Sequence, residues 1–153
     1  MSSAAEARRP THVPSGFKFR AEFRGETGMG FSGDPSQVSL VYARGMTADD
    51  RVFPLTLHVS SARHVRLIGT EEHEGSRVRL PRSRARATYH DGMWMLGPGP
   101  DQRRVAPGTV IHWDNSDVHS LTLAREGKVF AVRGARSRGV GLEELVRTLE
   151  SVL

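Results

Sequence analysis

The chain has 153 residues, which suits one domain with a sizeable core, and its 16 glycines and 8 prolines indicate many short elements joined by turns. It contains no cysteine, which excludes disulfides, thiol nucleophiles and cysteine-ligated metals. The formal net charge is +5, and all of the basic residues except Lys18 and Lys128 are arginine. Genome composition can produce such a bias, so the charge is weak evidence for anionic partners.

The N-terminal segment is small, charged and proline-containing, and we predict a flexible tail over 1–15 followed by one domain over 16–153. The segment lacks the apolar stretch of a signal peptide, and no run approaches the roughly 20 apolar residues of a membrane helix. The sequence as given is therefore expected to be soluble, alone or as the soluble part of a longer anchored protein. Its compartment stays open.

Short segments of alternating apolar and polar residues follow the tail. In "FKFRAEF" (17–23), the three phenylalanines and Ala21 fall on one face and the charged residues on the other. Comparable segments span 37–44, 55–59, 64–69, 77–80, 87–90, 93–96, 109–113, 119–124 and 128–134. About ten such strands with no helix between them predict an antiparallel sheet with one packed and one solvated face.

Two segments between these strands resemble functional motifs. "GMGFSG" (28–33) matches G-x-G-x-x-G, but a dinucleotide site needs a helix that begins at the third glycine, whereas Gly33 is followed by "DPSQ" and a strand. "EEHEG" (71–75) is most simply a solvated loop, and no carboxylate pair is placed for acid–base chemistry. We interpret both segments as loops.

The segment "ATYHDGMWML" (87–96) concentrates residues that could do chemistry, yet its spacing favours a hairpin. Asp91-Gly92 is a preferred two-residue hairpin loop, and this register would place Tyr89 opposite Trp94 as a cross-strand aromatic pair. The functional alternative is a binding face that uses Trp94, provided that its side chain is exposed.

"IHWDNSDVHS" (111–120) is the candidate metal site. A four-residue loop from Asp114 to Asp117 would place His112 opposite His119, with both rings on one face about 5 Å apart. A metal site usually needs a third ligand, for which His90 and either aspartate are candidates. The alternative is a polar loop with two solvated or hydrogen-bonded histidines.

The C-terminal segment "GLEELVRTLESVL" (141–153) is the one convincing helix. Its apolar residues form a single stripe, and Glu143 and Glu144 lie in the first turn, where carboxylates favour the helix dipole. The stripe needs a partner, and the apolar face of the sheet is available. We therefore predict an α+β fold in which a curved antiparallel β-sheet packs on a C-terminal amphipathic helix.

The last third of the chain has an order of elements that resembles a known family. A strand ends in Trp113, a hairpin "HSLTLAREGKVFAVRG" follows, and a Gly-containing link leads to the helix. The helix is similar to the pattern s-x-E-E-L-x-x-x-A-E-S-L, which Glu143, Glu144, Leu145, Glu150 and Ser151 match. This resembles the closing segment of a bacterial extracytoplasmic family of unknown function, whose entry strand is similar to "VPSGFKF" (13–19). Leu149 stands where that family has a small residue.

The resemblance implies a location and a class of role. Related domains form the outward-facing parts of anti-sigma-like and lipoprotein-like membrane-anchored proteins, some with lipoprotein-carrier-like architecture. This implies an extracytoplasmic, non-enzymatic binding or sensor module of the cell envelope that needs no cofactor. This sequence departs from the family in showing no signal peptide or anchor.

We carry two functional hypotheses. The first is that binding module, with a protein, peptide or lipid partner and candidate ligand-binding residues Arg20, Arg66, Arg79 and Trp94. We expect its basic residues to share the face that the helix leaves open, where they either prefer anionic surfaces or only keep the protein soluble. The lack of a dense basic block with interleaved aromatics argues against nucleic acid. The second is a small metal-binding protein or enzyme centred on His112 and His119.

Overall fold

The computed structural model describes residues 8–24, 37–45, 54–61, 70 and 73–153. In this part of the chain ten strands precede one α-helix: β1 (Lys18–Arg24), β2 (Val38–Ala43), β3 (Leu55–Ser60), β4 (Ser76–Arg79), β5 (Arg86–His90), β6 (Met93–Leu96), β7 (Arg103–Ala106), β8 (Thr109–Asp114), β9 (Val118–Arg125), β10 (Lys128–Ala135) and α1 (Leu142–Glu150). All paired strands are antiparallel, which confirms the α+β class. The predicted strand at 64–69 and the glycine motif at 28–33 lie outside the described residues.

The strands form two sheets rather than one. A seven-stranded sheet has the order β1-β2-β3-β10-β9-β5-β4, and a three-stranded sheet has the order β6-β8-β7. The predicted β9–β10 hairpin is confirmed, with Lys128 opposite Arg125. Its two turn residues, Glu126 and Gly127, both have positive φ, as a tight two-residue hairpin loop requires.

The predicted helix stripe packs on the large sheet. Leu145 and Leu149 are fully buried with Leu40, Leu57 and Leu121 in one core cluster. The helix begins after Gly141 with Glu143 and Glu144 in its first turn, which places two carboxylates at the positive end of the helix dipole. Within the predicted tail, Val13 packs against this core and His12 bonds to Glu144 over 2.8 Å.

The prediction of one packed and one solvated face is wrong for the central strands. Every residue of β2 and β3 is buried, including polar residues such as Ser39, Thr56 and His58. Alternation along these strands was real, but the face opposite the helix is buried as well. The central strands therefore offer no open polar face to a partner.

An irregularity in β1 changes its predicted face pattern. Phe19 lies opposite Tyr42, whereas Ala21 lies opposite Val41 and Phe23 opposite Ser39. The register shifts between Phe19 and Ala21, and a one-residue shift moves the following side chains to the other face. Phe19 therefore shares a face with the helix-packed core, and Phe23 does not.

Both predicted hairpins around the small sheet are wrong. β5 pairs with β4 and β9, whereas β6 pairs with β8, so Asp91-Gly92 carries the chain from one sheet to the other. In the same way β8 belongs to the small sheet and β9 to the large one, so the 114–117 segment is a second crossing. Alternation and turn residues identify strands and turns, but they do not identify the partner strand.

Candidate functional site

At Asp91-Gly92 the chain passes from the seven-stranded sheet to the three-stranded sheet. Consecutive residues next to this step form hydrogen bonds to different strands and loops. The Tyr89 hydroxyl bonds to the ring of His119 in β9 over 2.8 Å. The His90 Nε2 donates to the carbonyl of His73 over 2.9 Å, and the Asp91 carbonyl accepts from the Trp113 indole over 3.0 Å. This segment is therefore a junction between the sheets rather than a simple turn.

The junction requires glycine at position 92 because the backbone angle φ is positive there and because no room is left for a Cβ atom. Gly92 has φ +129°, and a Cβ at this position would stand 2.5 Å from the Asp114 carbonyl oxygen and 2.7 Å from the Trp113 indole nitrogen. The two sheets meet too closely here for any side chain. This contact fixes Trp113 against the junction.

An aromatic cluster lies over one face of the small sheet. The His73 ring stacks on Trp113 with centroids 3.4 Å apart and planes at 6°, and Trp94 meets both rings edge-on at 5.8 and 5.3 Å. Burial lowers the pKa of His73, and the neighbouring His90 acts in the same direction. His73 is therefore held as a neutral, flat ring that covers Trp113.

The same face continues from this cluster to solvent. Trp94 lies opposite Trp113, while Leu96 and Arg103 both lie opposite Ile111, so these five side chains share one face. Arg103 places its guanidinium 5.0 Å from the Trp94 ring centre. We define the half-buried and exposed part of this face, Trp94, Leu96, Arg103 and Ile111, as the aromatic surface.

Exposed apolar side chains concentrate in the small sheet. Four large hydrophobic side chains of the described residues are more than a third exposed, and three of them, Met95, Leu96 and Val105, belong to β6 and β7. Leu96 is 79% exposed, which is unusual for a leucine inside a strand. Clustered exposed apolar groups mark interaction sites more often than single ones do.

The second predicted centre does not assemble. His112 lies in β8 opposite Met95 and bonds through Nδ1 to the Gly97 carbonyl, while the Gly99 backbone packs over its ring. His119 lies in β9 opposite Gly134, in the other sheet. The two rings are therefore not a cross-strand pair, and the part of the chain that the structure describes contains no group of three or more His, Asp and Glu side chains placed to hold a metal.

His119 takes part in a closed hydrogen-bond chain instead. Its Nε2 donates to the Val140 carbonyl just before α1, so its Nδ1 accepts from the Tyr89 hydroxyl. Arg136 donates to the same hydroxyl over 2.8 Å and to the Asp91 carboxylate. Burial lowers the pKa of His119 and raises that of Tyr89, so both stay neutral and the chain ties the end of β5 to the start of α1.

The candidate basic residues are not close together. Arg20 is exposed on β1 and Arg79 is exposed on β4, at opposite edges of the seven-stranded sheet. Six strand spacings of about 4.8 Å separate these edges by roughly 30 Å. Arg66 lies outside the described residues. Arg20 and Arg79 therefore do not form one compact binding patch.

A cleft of about 730 Å³ lies between the N-terminal segment, the turn after β4 and α1. Its carboxylates already have partners: Glu143 accepts from Arg147 over 2.7 Å, and Glu150 accepts from the backbone amides of Arg82 and Ser83. The cleft is thus lined by groups that hold the helix against the hairpin turn. We do not assign it a ligand.

Comparisons with known proteins add no assignment, because no family model matches the chain and no curated protein or solved structure is significantly similar to it. Among the described residues, no helix is long and apolar enough to cross a membrane.

Of the predicted ligand-binding residues, Trp94 is the one that the structure places in a cluster with other candidate groups. Local sequence patterns did not predict that His73, Leu96, Arg103 and Trp113 would lie beside it. The available signal was "MWML", in which apolar residues occupy both faces of a short strand. A strand of this kind needs either burial on both faces or a partner on one of them.

Proposed function

We propose that the protein is a non-enzymatic binding module and that the aromatic surface is its ligand site. The observation that carries this proposal is the placement of 79%-exposed Leu96 beside half-buried Trp94 and its cation partner Arg103 on one sheet face. Tryptophan and arginine are among the residue types enriched at the positions that contribute most to binding at protein interfaces.

The ligand that fits best is an extended apolar segment of a partner protein. Leu96, Ile111 and the Trp94 ring offer flat apolar area, and Arg103 offers a charged hydrogen-bond donor beside it. Binding rather than catalysis is supported at the junction between the sheets, where Tyr89, His119 and Asp91 are held in hydrogen bonds to each other or to Arg136.

The cell-envelope part of the proposal rests on the family resemblance alone. That resemblance implies an extracytoplasmic sensor or binding domain and a curved sheet, but the aromatic surface lies on the small sheet and does not depend on curvature of the large one. Protease accessibility of the native protein in intact and lysed cells tests this location. Protection in intact cells with the outer layers removed would contradict it.

The ligand site is tested with a panel of biotinylated extended nonapeptides carrying apolar residues at alternate positions. We expect a subset to bind, and Leu96→Asp and Trp94→Ala to weaken that binding at least about tenfold, equivalent to roughly 1.4 kcal/mol. Leu142→Asp is the matched control, because Leu142 is also an exposed hydrophobic residue but lies on α1. Failure of every peptide to bind, or equal losses in Leu96→Asp and Leu142→Asp, would overturn the assignment.

A further inference from the structure

The β4–β5 hairpin carries five arginines and no acidic residue. We define Arg77, Arg79, Arg82, Arg84 and Arg86 as the arginine hairpin; all five side chains are exposed. None of them forms an ion pair with another residue that the structure describes. A hairpin that contributes five cations and no carboxylate of its own presents a strongly positive surface.

The register of the hairpin adds to this charge. Arg79 lies directly opposite Arg86, and like charges in opposed positions destabilise a strand pair. Val78 and the fully buried Ala87 form the neighbouring pair on the other face, so the arginines face solvent together. The fold therefore retains a repulsive arrangement that an anionic partner would relieve.

The hairpin is also held rigidly. Leu80 is fully buried and its amide bonds to the Ala85 carbonyl over 2.8 Å, closing the turn. Glu150 at the end of α1 accepts from the backbone amides of Arg82 and Ser83 over 2.9 and 2.8 Å. The arginines are thus presented from an ordered backbone, which lowers the entropy that a partner must offset.

β4 stands at an edge of the seven-stranded sheet, and within the described residues only β5 pairs with it. The outward backbone groups of an edge strand can accept another strand. A second copy of this chain is a poor occupant, because edge-to-edge pairing would bring Arg77 and Arg79 against their own counterparts. The edge suits a strand of opposite charge.

We infer that the β4 edge binds an extended acidic segment of a partner protein by strand addition. Acidic residues at alternate positions of that segment would place their Cβ atoms about 5 Å from those of Arg77 and Arg79. Each arginine can bind a carboxylate through two parallel hydrogen bonds. This site uses other residues than the aromatic surface, so either proposal can fail without the other.

The inference is tested by fluorescence anisotropy with a labelled peptide of alternating glutamate and valine. At low salt we expect this peptide to bind at least about tenfold more tightly than the glutamine–valine peptide. Its affinity should fall as salt is raised to about 0.15 M, where the screening length shortens to about 8 Å. Arg77→Gln/Arg79→Gln should lose that difference. Arg20→Gln/Arg24→Gln removes the same charge from the β1 edge and should retain it.

Strand addition is separated from simple charge attraction by an N-methylated glutamate–valine peptide, which keeps its charge but cannot pair along the edge. We expect it to bind at least about tenfold more weakly. Equal binding of the methylated peptide, equal binding of a thymidine oligonucleotide or of phosphatidylglycerol vesicles, or equal losses in the two double variants would overturn the inference. Circular dichroism of each variant confirms that its fold is retained.

Discussion

The two sheets differ in which side chains they bury. In the seven-stranded sheet the polar residues Gln37, Ser39 and His58 are buried, and they bond to one another. In the three-stranded sheet the apolar Leu96 and Val105 are exposed. The large sheet packs on α1 and buries both faces of its central strands, whereas every strand of the small sheet has side chains that are half-buried or exposed. Exposed apolar residues in the small sheet, rather than the buried histidines of the large one, therefore mark the candidate binding site.

The largest difference between the sheets should appear when leucine is truncated in each. Leu145→Ala removes a fully buried side chain from the core under the large sheet and should lower the free energy of unfolding by about 2–5 kcal/mol. Leu96→Ala makes the same chemical change on the small sheet and should alter it by less than about 0.5 kcal/mol. Urea unfolding of both variants makes the comparison, and similar losses would contradict it.

The junction between the sheets should be nearly as sensitive. Gly92→Ala introduces a Cβ at φ +129° and against the Asp114 carbonyl, so we expect a loss of about 1–3 kcal/mol in unfolding free energy. Gly108→Ala is the control, because Gly108 also has positive φ but a Cβ there meets open space. If thermal or urea unfolding shows equal losses for the two variants, the close approach of the sheets contributes nothing.

The buried histidine makes the large sheet sensitive to pH. Burial lowers the pKa of His58 from 6.5 to about 3, with the charge of Arg133 acting in the same direction. Between these two pKa values the unfolded chain binds a proton that the folded protein excludes. The stability that neutral His58 allows is therefore fully present above pH 6.5 and is lost as pH falls toward 3. The expected cost is up to about 1.4 kcal/mol per pH unit in this window.

This pH dependence is checked by urea unfolding between about pH 7 and about pH 5. His58→Gln should show a shallower loss than the parent protein, whatever its stability at neutral pH. His119, whose pKa burial also lowers, adds a change of the same sign and accounts for a residual slope. An identical slope in parent and variant would show that His58 does not carry the effect.

The smallest expected effect concerns the hydrogen-bond chain at the end of β5. Tyr89→Phe leaves the buried Nδ1 of His119 without its donor and should cost about 1–2 kcal/mol in unfolding free energy. Arg103→Gln removes a cation from the exposed small sheet and should cost less than about 0.5 kcal/mol. A loss for Arg103→Gln as large as that for Tyr89→Phe would remove the distinction between the two regions.

Local patterns in the sequence determined the elements of this protein. Period-two alternation predicted nine of the ten strands that the structure describes. The exception is β7, "RRVA", which has no alternation. The helix and its buried face followed from the spacing of residues such as Leu145 and Leu149. These features depend on neighbours within a few positions of the chain.

Only the tertiary structure decided which strands meet and therefore where a site forms. Asp91-Gly92 and the 114–117 segment look like hairpin loops because turn chemistry is local, yet each connects two sheets. As a result His112 and His119 separate, Tyr89 bonds to His119, and Trp94 meets Trp113 and His73 instead of Tyr89. Strand pairing depends on packing between residues distant in the chain, and no local pattern contains that information.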